Sequence, residues 1–337
     1  MIPEDLRTIT MFDWLENDLL LEIRHCEPAS SDASFRRYFR VMTPDDSGQP
    51  QQFIVMDAPP TKENIEPFIR IANLLGKSEV NVPNIYQQNP IDGFLLLEDF
   101  GNRSFLDQLN ETTVDSLYRS ALDCLFKLQT QTPTQQAGLP SYDQPLLQRE
   151  LAIFEEWFLG RLLDVEISRS IWEDACRLLI DSALEQPTVC VHRDYHSRNL
   201  MVVNSNSPGV IDFQDAVIGP ITYDLVSLLR DCYITWPPEQ VEQWRTNYFA
   251  RLFDAGLIDC SVEQFHRWFD LMGLQRHLKA IGIFSRLHLR DGKSGYLDDI
   301  PRTLNYVRTV CKDYPELALL DEFLQHQVIP KLGKIEA

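Results

Sequence analysis

Three polar side chains in the middle of the sequence have the types and the spacing that phosphoryl transfer requires. Asp194 and Asn199 lie five residues apart in a polar stretch, and Asp212 follows beyond a short turn. Two apolar runs, at residues 200–203 and 210–213, flank that turn and predict a small hairpin. Closing the hairpin brings two carboxylates and one amide oxygen together, and hard oxygen donors of this kind suit Mg²⁺.

The spacing predicts kinase chemistry. In protein kinases as a class, a catalytic-loop Asp accepts the hydroxyl proton, while an Asn five residues later and a further Asp bind metal. Here those roles would fall to Asp194, Asn199 and Asp212. The residues after Asp212 are Phe-Gln-Asp, without the glycine of the protein-kinase Asp-Phe-Gly, and no Ala-Pro-Glu follows. The chain is therefore not expected to be a protein kinase.

The motifs instead resemble the aminoglycoside phosphotransferase family of small-molecule kinases. The matching stretches are His-Arg-Asp-Tyr-His-Ser-Arg-Asn at residues 192–199, Ile-Asp-Phe at 211–213 and Tyr-Asp-Leu at 223–225. The resemblance implies an α+β, two-lobed, protein-kinase-like fold with a small antiparallel-sheet N-terminal lobe and a larger, mainly helical C-terminal lobe. It also implies ATP and Mg²⁺ as cofactors and a small molecule as acceptor.

Other polar residues near the motif have supporting roles in this interpretation. His192 is expected to brace the loop, and His196 either braces it or approaches the phosphates. Asp224 lies at a predicted helix start, where it would tie down the loop or cap its own helix. Asp215 is either an acid near the metal or a turn residue, and the sequence leaves both open.

Residues 1–101 are predicted to form a nucleotide-binding lobe that ends in a hinge. A helix is predicted at 5–21 from the spacing of its apolar residues. Strands are predicted at residues 21–26, 37–42, 52–56, 82–86 and 94–101. A second helix, predicted at 61–76, carries Glu63 and Glu66 in its first turns, and either is a candidate partner for a phosphate-binding cation.

Two groups of residues in this lobe are expected to contact ATP. The first hairpin has no glycine in its turn, so a phosphate cradle there would use backbone N–H groups and the hydroxyls of Ser31 and Ser34; a plain polar turn is the alternative. The last strand ends in Glu-Asp-Phe-Gly. Its backbone from Glu98 to Phe100 resembles the hinge that hydrogen-bonds adenine.

The sequence departs from the family pattern at the phosphate-binding lysine. The family places this lysine on the third strand, where this chain has Met56 and Asp57. Arg36, Arg37 and Lys62 are possible replacements, and the sequence does not choose among them. This departure keeps open a nucleotide-binding pseudokinase as an alternative function.

Residues 102–337 are predicted to form the C-terminal helical lobe, with the catalytic hairpin at residues 188–215 inserted into it. In a chain with a net charge of −19, one basic stretch stands out. Arg276 and Lys279 share a helix face there, as do Arg286 and Arg290. The stretch is a candidate site for an anionic acceptor, and a few solvated basic residues that balance local acids are the alternative.

The acceptor class comes from a narrower resemblance. Residues 31–40, 56–60 and 274–279 are similar to a bacterial branch of anomeric kinases in cell-wall recycling. That branch implies N-acetylmuramate or N-acetylglucosamine as acceptor, phosphorylated at the C1 hydroxyl. The basic stretch, including Arg276 and Lys279, would then bind the lactyl carboxylate of muramate. An aminoglycoside kinase is the alternative within the same family.

Composition bounds the remaining possibilities. A net charge of −19 argues against nucleic acid as partner, because phosphate binding needs a basic surface. The seven cysteines are scattered and contain no Cys-x-x-Cys, which argues against a disulfide framework and favours a reducing cytoplasm. No signal-peptide pattern and no long apolar run is present. We expect a cytoplasmic protein without membrane insertion or an obligate protein partner.

Overall fold

A computed structural model describes residues 5–31, 35–134 and 138–333 of the chain. The chain forms two compact units. The first contains Met1–Asn110 together with Leu200–Asp215, and the second contains Glu111–Asn199 together with Ala216–Ala337. The predicted hairpin around residues 200–213 therefore groups with the N-terminal residues. The sequence instead predicts a single boundary between residues 101 and 102.

The described residues contain the following elements. The strands are β1 (His25–Ser31), β2 (Arg37–Pro44), β3 (Pro50–Asp57), β4 (Ile85–Asn89), β5 (Phe94–Glu98), β6 (Thr188–Val191), β7 (Leu200–Met201), β8 (Gly209–Val210) and β9 (Val217–Pro220). The α-helices are α1 (Leu6–Asp13), α2 (Glu66–Lys77), α3 (Phe105–Gln108), α4 (Val114–Gln131), α5 (Gln144–Ile153), α6 (Arg169–Leu184), α7 (Tyr223–Leu229), α8 (Pro238–Asp254), α9 (Val262–Asp291), α10 (Ile300–Asp313), α11 (Ala318–Phe323) and α12 (Ile329–Leu332).

The first unit is built on an antiparallel sheet with the strand order β1-β2-β3-β5-β4. Val41, Val55 and Leu96 are buried in one core with Met11 and Trp14. The latter two come from α1 and from the π-helical turn that continues it. Because side chains alternate along a strand, this packing leaves every second residue of β2 and β3 on the opposite face of the sheet.

Three N-terminal predictions are displaced in the structure. The strands predicted at residues 21–26 and 82–86 instead occupy His25–Ser31 and Ile85–Asn89, and the helix predicted at 61–76 begins at Glu66. Pro67 lies in the first turn of this helix, where its fixed φ is favourable. The side chain of Asn64 accepts the backbone N–H of Glu66 at 2.9 Å, which satisfies a donor that the helix start leaves free.

The second unit is organised around α9, a helix of 30 residues that is buried on most of its faces. It packs against α5, α6, α7 and α10. Gly282 lets α9 approach another backbone closely, because a Cβ there would lie 2.6 Å from the carbonyl carbon of Ile153. The helix ends at Gly292, whose φ of 67° is the left-handed conformation that glycine adopts most readily.

Two short strand pairs surround the polar motif. In the second unit, β6 pairs antiparallel with β9. In the first unit, β7 pairs with β8, so the predicted hairpin is present, although its ladder has only two residue pairs. The antiparallel sheet followed by helices confirms the predicted α+β class. Within the described residues, no helix has the length and apolarity that crossing a bilayer requires.

Candidate active site

The loop at residues 192–199, here called the catalytic loop, is held by two buried carboxylates. Asp224 accepts the backbone N–H of His192 at 2.6 Å and that of Arg193 at 3.0 Å. Asp231 accepts both the N–H and the hydroxyl of Ser197, at 2.9 and 2.6 Å. The first carboxylate therefore fixes the start of the loop and the second fixes its middle. Sequence reasoning missed Asp231, although an acid directly after the apolar helix α7 was a usable signal.

Asp194 lies partly exposed on this loop and is strongly ionised. Burial acts to raise its pKa, but the nearby charges of Lys279 and Arg276 outweigh burial, and the pKa falls to about 2. A carboxylate with so low a pKa is a weak base near neutral pH. The geometry therefore suits Asp194 for orienting a hydroxyl more than for removing its proton early in the reaction.

Asn199 is joined to Asp194 within the second unit. Its side-chain amide nitrogen donates to the backbone carbonyl of Asp194 at 3.0 Å. The backbone adds two further bonds, because His196 donates to the same carbonyl at 3.0 Å and Asn199 donates to the carbonyl of His196 at 2.9 Å. With its amide nitrogen committed to the loop, the amide oxygen of Asn199 is the atom suited to a hard cation.

Both histidines of the loop are buried. Nδ1 of His192 accepts the backbone N–H of Asp194 at 3.2 Å, which fixes the proton of a neutral ring on Nε2. The ring of His196 meets the ring of Tyr233 edge-on, with their centroids 5.2 Å apart. Burial lowers the pKa of His196 to about 4. These contacts hold both rings in place, so the two histidines brace the loop.

Arg193 connects the loop to a buried polar cluster. Its backbone has a φ of 80°, an uncommon conformation for a residue with a side chain. Its guanidinium pairs with Glu150, whose side chain is only 4% exposed. Glu150 also pairs with Lys279 at 3.0 Å and accepts from Gln275 at 3.2 Å. Sequence reasoning missed Glu150, because it lies 43 residues before its partner on the loop.

Two residues of the basic stretch, Arg276 and Lys279, are buried, whereas Arg290 is exposed. Arg276 and Lys279 are 5% and 7% exposed, so their interpretation as solvated surface charges is wrong. Lys279 is committed to Glu150 and to the hydroxyl of Tyr223 at 3.2 Å. Arg276 contacts the sulfur of Cys232 at 3.5 Å. Its Nε has no hydrogen-bond partner among the described residues.

Asp212 belongs to the first unit and has an unusual backbone. Its φ is 62°, again in the left-handed region. The amide of Gln214 donates to its carboxylate at 2.6 Å. The next residue, Phe213, is fully buried and packs on Phe68 of α2 with the ring centroids 4.7 Å apart. Asp215 is exposed. The expected grouping of Asp212 with the two loop residues stays a prediction.

Two of the three candidate phosphate-binding cations of the first unit pair with carboxylates. Arg36 pairs with Glu63 at 3.1 Å, and both side chains are mostly buried. Arg37 pairs with Asp5 and with Asp57. The pair of Arg36 and Glu63 therefore matches the expected pairing of a phosphate-binding cation with a glutamate near α2. The cation, however, does not come from the third strand, where the family places its lysine.

Asp57 lies on the face of the sheet that α1 covers. It is fully buried and accepts Arg7 of α1 at 3.1 Å as well as Arg37 at 2.8 Å. Since α1 covers this face of the sheet, Asp57 joins the helix to β2. Ser34 and the side chain of Ser31 lie outside the described residues.

The two ends of the predicted hinge, Glu98 and Phe100, each contact another residue of the first unit. The carboxylate of Glu98 accepts the side chain of Asn84 at 2.7 Å, and the N–H of Glu98 donates to the carbonyl of Asn84 at 2.9 Å. A hydrogen bond from Glu98 to adenine would therefore have to use its carbonyl group. Phe100 packs directly on Gly209, where a Cβ would lie 2.5 Å from the ring.

Comparisons with known proteins identify the family to which this chain is similar. Residues 25–258 match the model of a family described as "Phosphotransferase enzyme family". An N-acetylmuramate/N-acetylglucosamine kinase from Pseudomonas putida is 46% identical, and the match covers 96% of this chain and 97% of that protein. A kinase of the same name from Pseudomonas aeruginosa is 48% identical over 88% of this chain and 87% of that protein.

A solved structure with much lower sequence identity shows the same fold. An ADP-bound aminoglycoside phosphotransferase superposes with a TM-score of 0.58 at 14% identity, covering 88% of this chain and 97% of that one. The predicted kinase-like fold is thereby confirmed.

Proposed function

We propose, because this chain belongs to the phosphotransferase enzyme family, that it transfers the γ-phosphoryl group of ATP to a hydroxyl group of an amino sugar. The observation that carries the proposal is the match to named amino-sugar kinases along nearly the whole chain, including the catalytic loop. The names of these relatives support N-acetylmuramate and N-acetylglucosamine as the acceptors. The ADP-bound neighbour supports a nucleotide as the donor.

The state of Asp194 supports the C1 hydroxyl as the group that is phosphorylated. This hydroxyl is bonded to the same carbon as the ring oxygen, which withdraws electron density and makes it more acidic than an ordinary alcohol. A carboxylate with a pKa of about 2 can orient such a hydroxyl and receive its proton late. Phosphoryl transfer depends mainly on positioning and electrostatics, so a weak base is sufficient.

Asn199 and Asp212 are the residues that would hold Mg²⁺. Both offer hard oxygen ligands, and Mg²⁺ usually takes one or two protein groups and completes its shell with water and substrate phosphates. When bound, the ion would neutralise charge on the phosphates. The hydrogen bonds from Asn199 to the Asp194 carbonyl and from Gln214 to Asp212 orient these two ligands before any ion arrives.

The nucleotide contacts are proposed as follows. Arg36, held by Glu63, takes the place of the missing strand lysine as the cation for the phosphates. The carbonyl of Glu98 and the backbone of Phe100 bind adenine, and the hydroxyls of Ser31 and Ser34 remain predicted phosphate contacts.

At the acceptor end, Arg276 contributes a buried positive charge beside Asp194. Lys279 is already bound to Glu150 and Tyr223. We therefore assign Lys279 the task of positioning the loop, and Arg276 the direct electrostatic contribution to the reacting groups.

The test is phosphorylation of an acceptor panel by the purified protein with Mg-ATP. The panel contains N-acetylmuramate, N-acetylglucosamine, kanamycin and choline, and Asp194→Asn is the control. We expect both N-acetyl sugars to be phosphorylated at C1, and the variant to be about 10²- to 10⁴-fold slower. Turnover of kanamycin alone would establish the antibiotic-kinase alternative. Nucleotide binding without any turnover would favour a pseudokinase.

A further inference from the structure

Arg198 of the catalytic loop is held by aromatic rings. It lies between Asp194 and Asn199, and its guanidinium stacks 3.6 Å from the ring centroid of Tyr233. The ring of Tyr296 is 5.6 Å away. Tyr233 is itself fixed, because its backbone N–H donates to Asp231 at 2.9 Å. The same carboxylate holds Ser197, so this cation and the catalytic loop share one anchor.

Among the described residues, the guanidinium of Arg198 has an ion pair but no hydrogen bond. The nearest carboxylate oxygen, on Asp299, is 3.9 Å away, and Asp299 is bound to Arg302 at 2.8 Å. The Arg198 side chain is 41% exposed. A planar cation is thus kept in place by stacking, with its N–H groups open to a ligand.

We propose that Arg198 is the specificity-determining residue of the acceptor site and binds the carboxylate of an acidic amino sugar. The proposal rests on the amino-sugar kinase function proposed above and identifies the residue that distinguishes its acidic acceptor from its neutral one. A guanidinium binds a carboxylate through two parallel N–H bonds, which favours one orientation of the sugar. The flanking rings of Tyr233 and Tyr296 fix the plane of that contact.

Arg198 is partly exposed and Arg276 is buried, and this difference gives the two arginines different roles in acceptor binding. An enzyme that accepts an acidic and a neutral sugar must leave its carboxylate-binding cation without a partner whenever the neutral sugar is bound. Water can solvate the exposed Arg198 in that state. Arg276 is almost fully buried, and a buried charge that loses its partner is strongly destabilising. Arg276 therefore serves an interaction that both acceptors share.

The experiment compares kcat/KM for N-acetylmuramate and N-acetylglucosamine in three variants. We expect Arg198→Ala to lower kcat/KM for N-acetylmuramate about 10- to 100-fold, because the variant loses a charge-assisted hydrogen-bonded pair. The kcat/KM for N-acetylglucosamine should change less than about twofold. Arg198→Lys keeps the charge but not the planar fork, so it should recover only part of the loss. Arg177→Ala is the matched control, because this exposed arginine pairs with Asp174.

Two results would overturn the proposal. Equal losses for both sugars in Arg198→Ala would assign Arg198 to phosphoryl transfer instead. An unchanged preference in that variant, with the preference lost in Arg276→Ala, would place the carboxylate at the buried arginine. If the parent phosphorylates neither sugar, the proposed function fails. Calorimetric binding of the two sugars to parent and Arg198→Ala then still decides whether Arg198 recognises the carboxylate.

Discussion

The carboxylate of Asp224 lies under the catalytic loop and accepts two of its backbone N–H groups. Burial raises the pKa of Asp224 from its ordinary value of 3.8 to about 6. His192 and the two N–H groups act in the opposite direction, and the charge of Asp194 adds to the increase. Protonation places a hydrogen on one oxygen, which can then no longer accept an N–H bond. We therefore expect protonation of Asp224 to loosen the start of the catalytic loop.

We predict that the kcat/KM of the parent falls as the pH drops through about 6, and that Asp224→Asn removes this acid limb. The variant keeps one acceptor oxygen at every pH, so its activity should stay near the acidic level of the parent. The measurement is the ratio of the parent's kcat/KM to the variant's kcat/KM between pH 5 and 8. Because both proteins use the same ATP, this ratio removes the effect of ATP protonation. A ratio that does not change with pH would contradict the assignment.

The stability of the parent relative to Asp224→Asn should change in the opposite direction. Because the folded-state pKa is above the unfolded value, the stabilising contribution is complete below pH 3.8 and is lost as the pH rises through about 6. Thermal unfolding of parent and variant over this range is therefore the control for the activity measurement. Parallel changes in activity and stability would show that the acid limb reflects unfolding.

At the scale of elements, α9 brings the catalytic loop and the buried charges together. Arg276 and Lys279 lie on this helix, and Glu150 reaches them from α5. The two helices are packed closely enough that no side-chain atom fits at Gly282, where a Cβ would meet the Ile153 carbonyl oxygen at 2.7 Å. The position of the charged residues on α9 therefore depends on position 282 having no β-carbon.

We predict that Gly282→Ala destabilises the protein by about 1–3 kcal/mol, because the atoms it meets are backbone and must shift. Gly76→Ala in α2 is the matched control. A Cβ there meets nothing within 4 Å, and alanine should add about 0.5–1 kcal/mol through its helix preference. Chemical denaturation of both variants gives the two values. Equal stabilisation would show that α9 can move away from α5.

At the scale of the whole molecule, the chain passes from the second unit to the first after Asn199 and returns after Asp215. The two proposed metal ligands, Asn199 and Asp212, lie near these two points. The chain has a net charge of −19 and the proposed donor is an anion, so binding requires local positive charge. Mg²⁺ is the cation that the proposed ligands would recruit.

We predict that Mg-ATP raises the thermal unfolding temperature of the parent, because a ligand that binds only the folded state stabilises that state. The free energy of unfolding rises by about 2.7 kcal/mol when the ligand concentration is 100 times its Kd. Asp212→Asn should lose the part of this shift that EDTA removes from the parent. Asp194→Asn should keep it, since Asp194 acts on the acceptor. A Mg²⁺-dependent shift of parental size in Asp212→Asn would exclude this residue as a ligand.

The sequence by itself determined the local features of this protein. The spacing of Asp194 and Asn199, the two apolar runs around a polar turn and the helical periodicity of the C-terminal part all act over a few residues. They were enough to predict the hairpin, whereas the α+β class and the kinase-like fold were implied by the resemblance of the motifs to a known family. Element ends were less accurate, as at Glu66, because they depend on single caps and prolines.

Only the tertiary structure decided which charges are buried and what they touch. Glu150 lies 129 residues before its partner Lys279 on α9, and Asp57 meets Arg7 across 50 residues. No local pattern encodes such contacts, because they depend on how helices and sheet pack. The same packing buries Arg276 and leaves Arg198 exposed, although the sequence presents both as basic residues. The cost of desolvating a charge separates their roles, and it is a property of the folded chain.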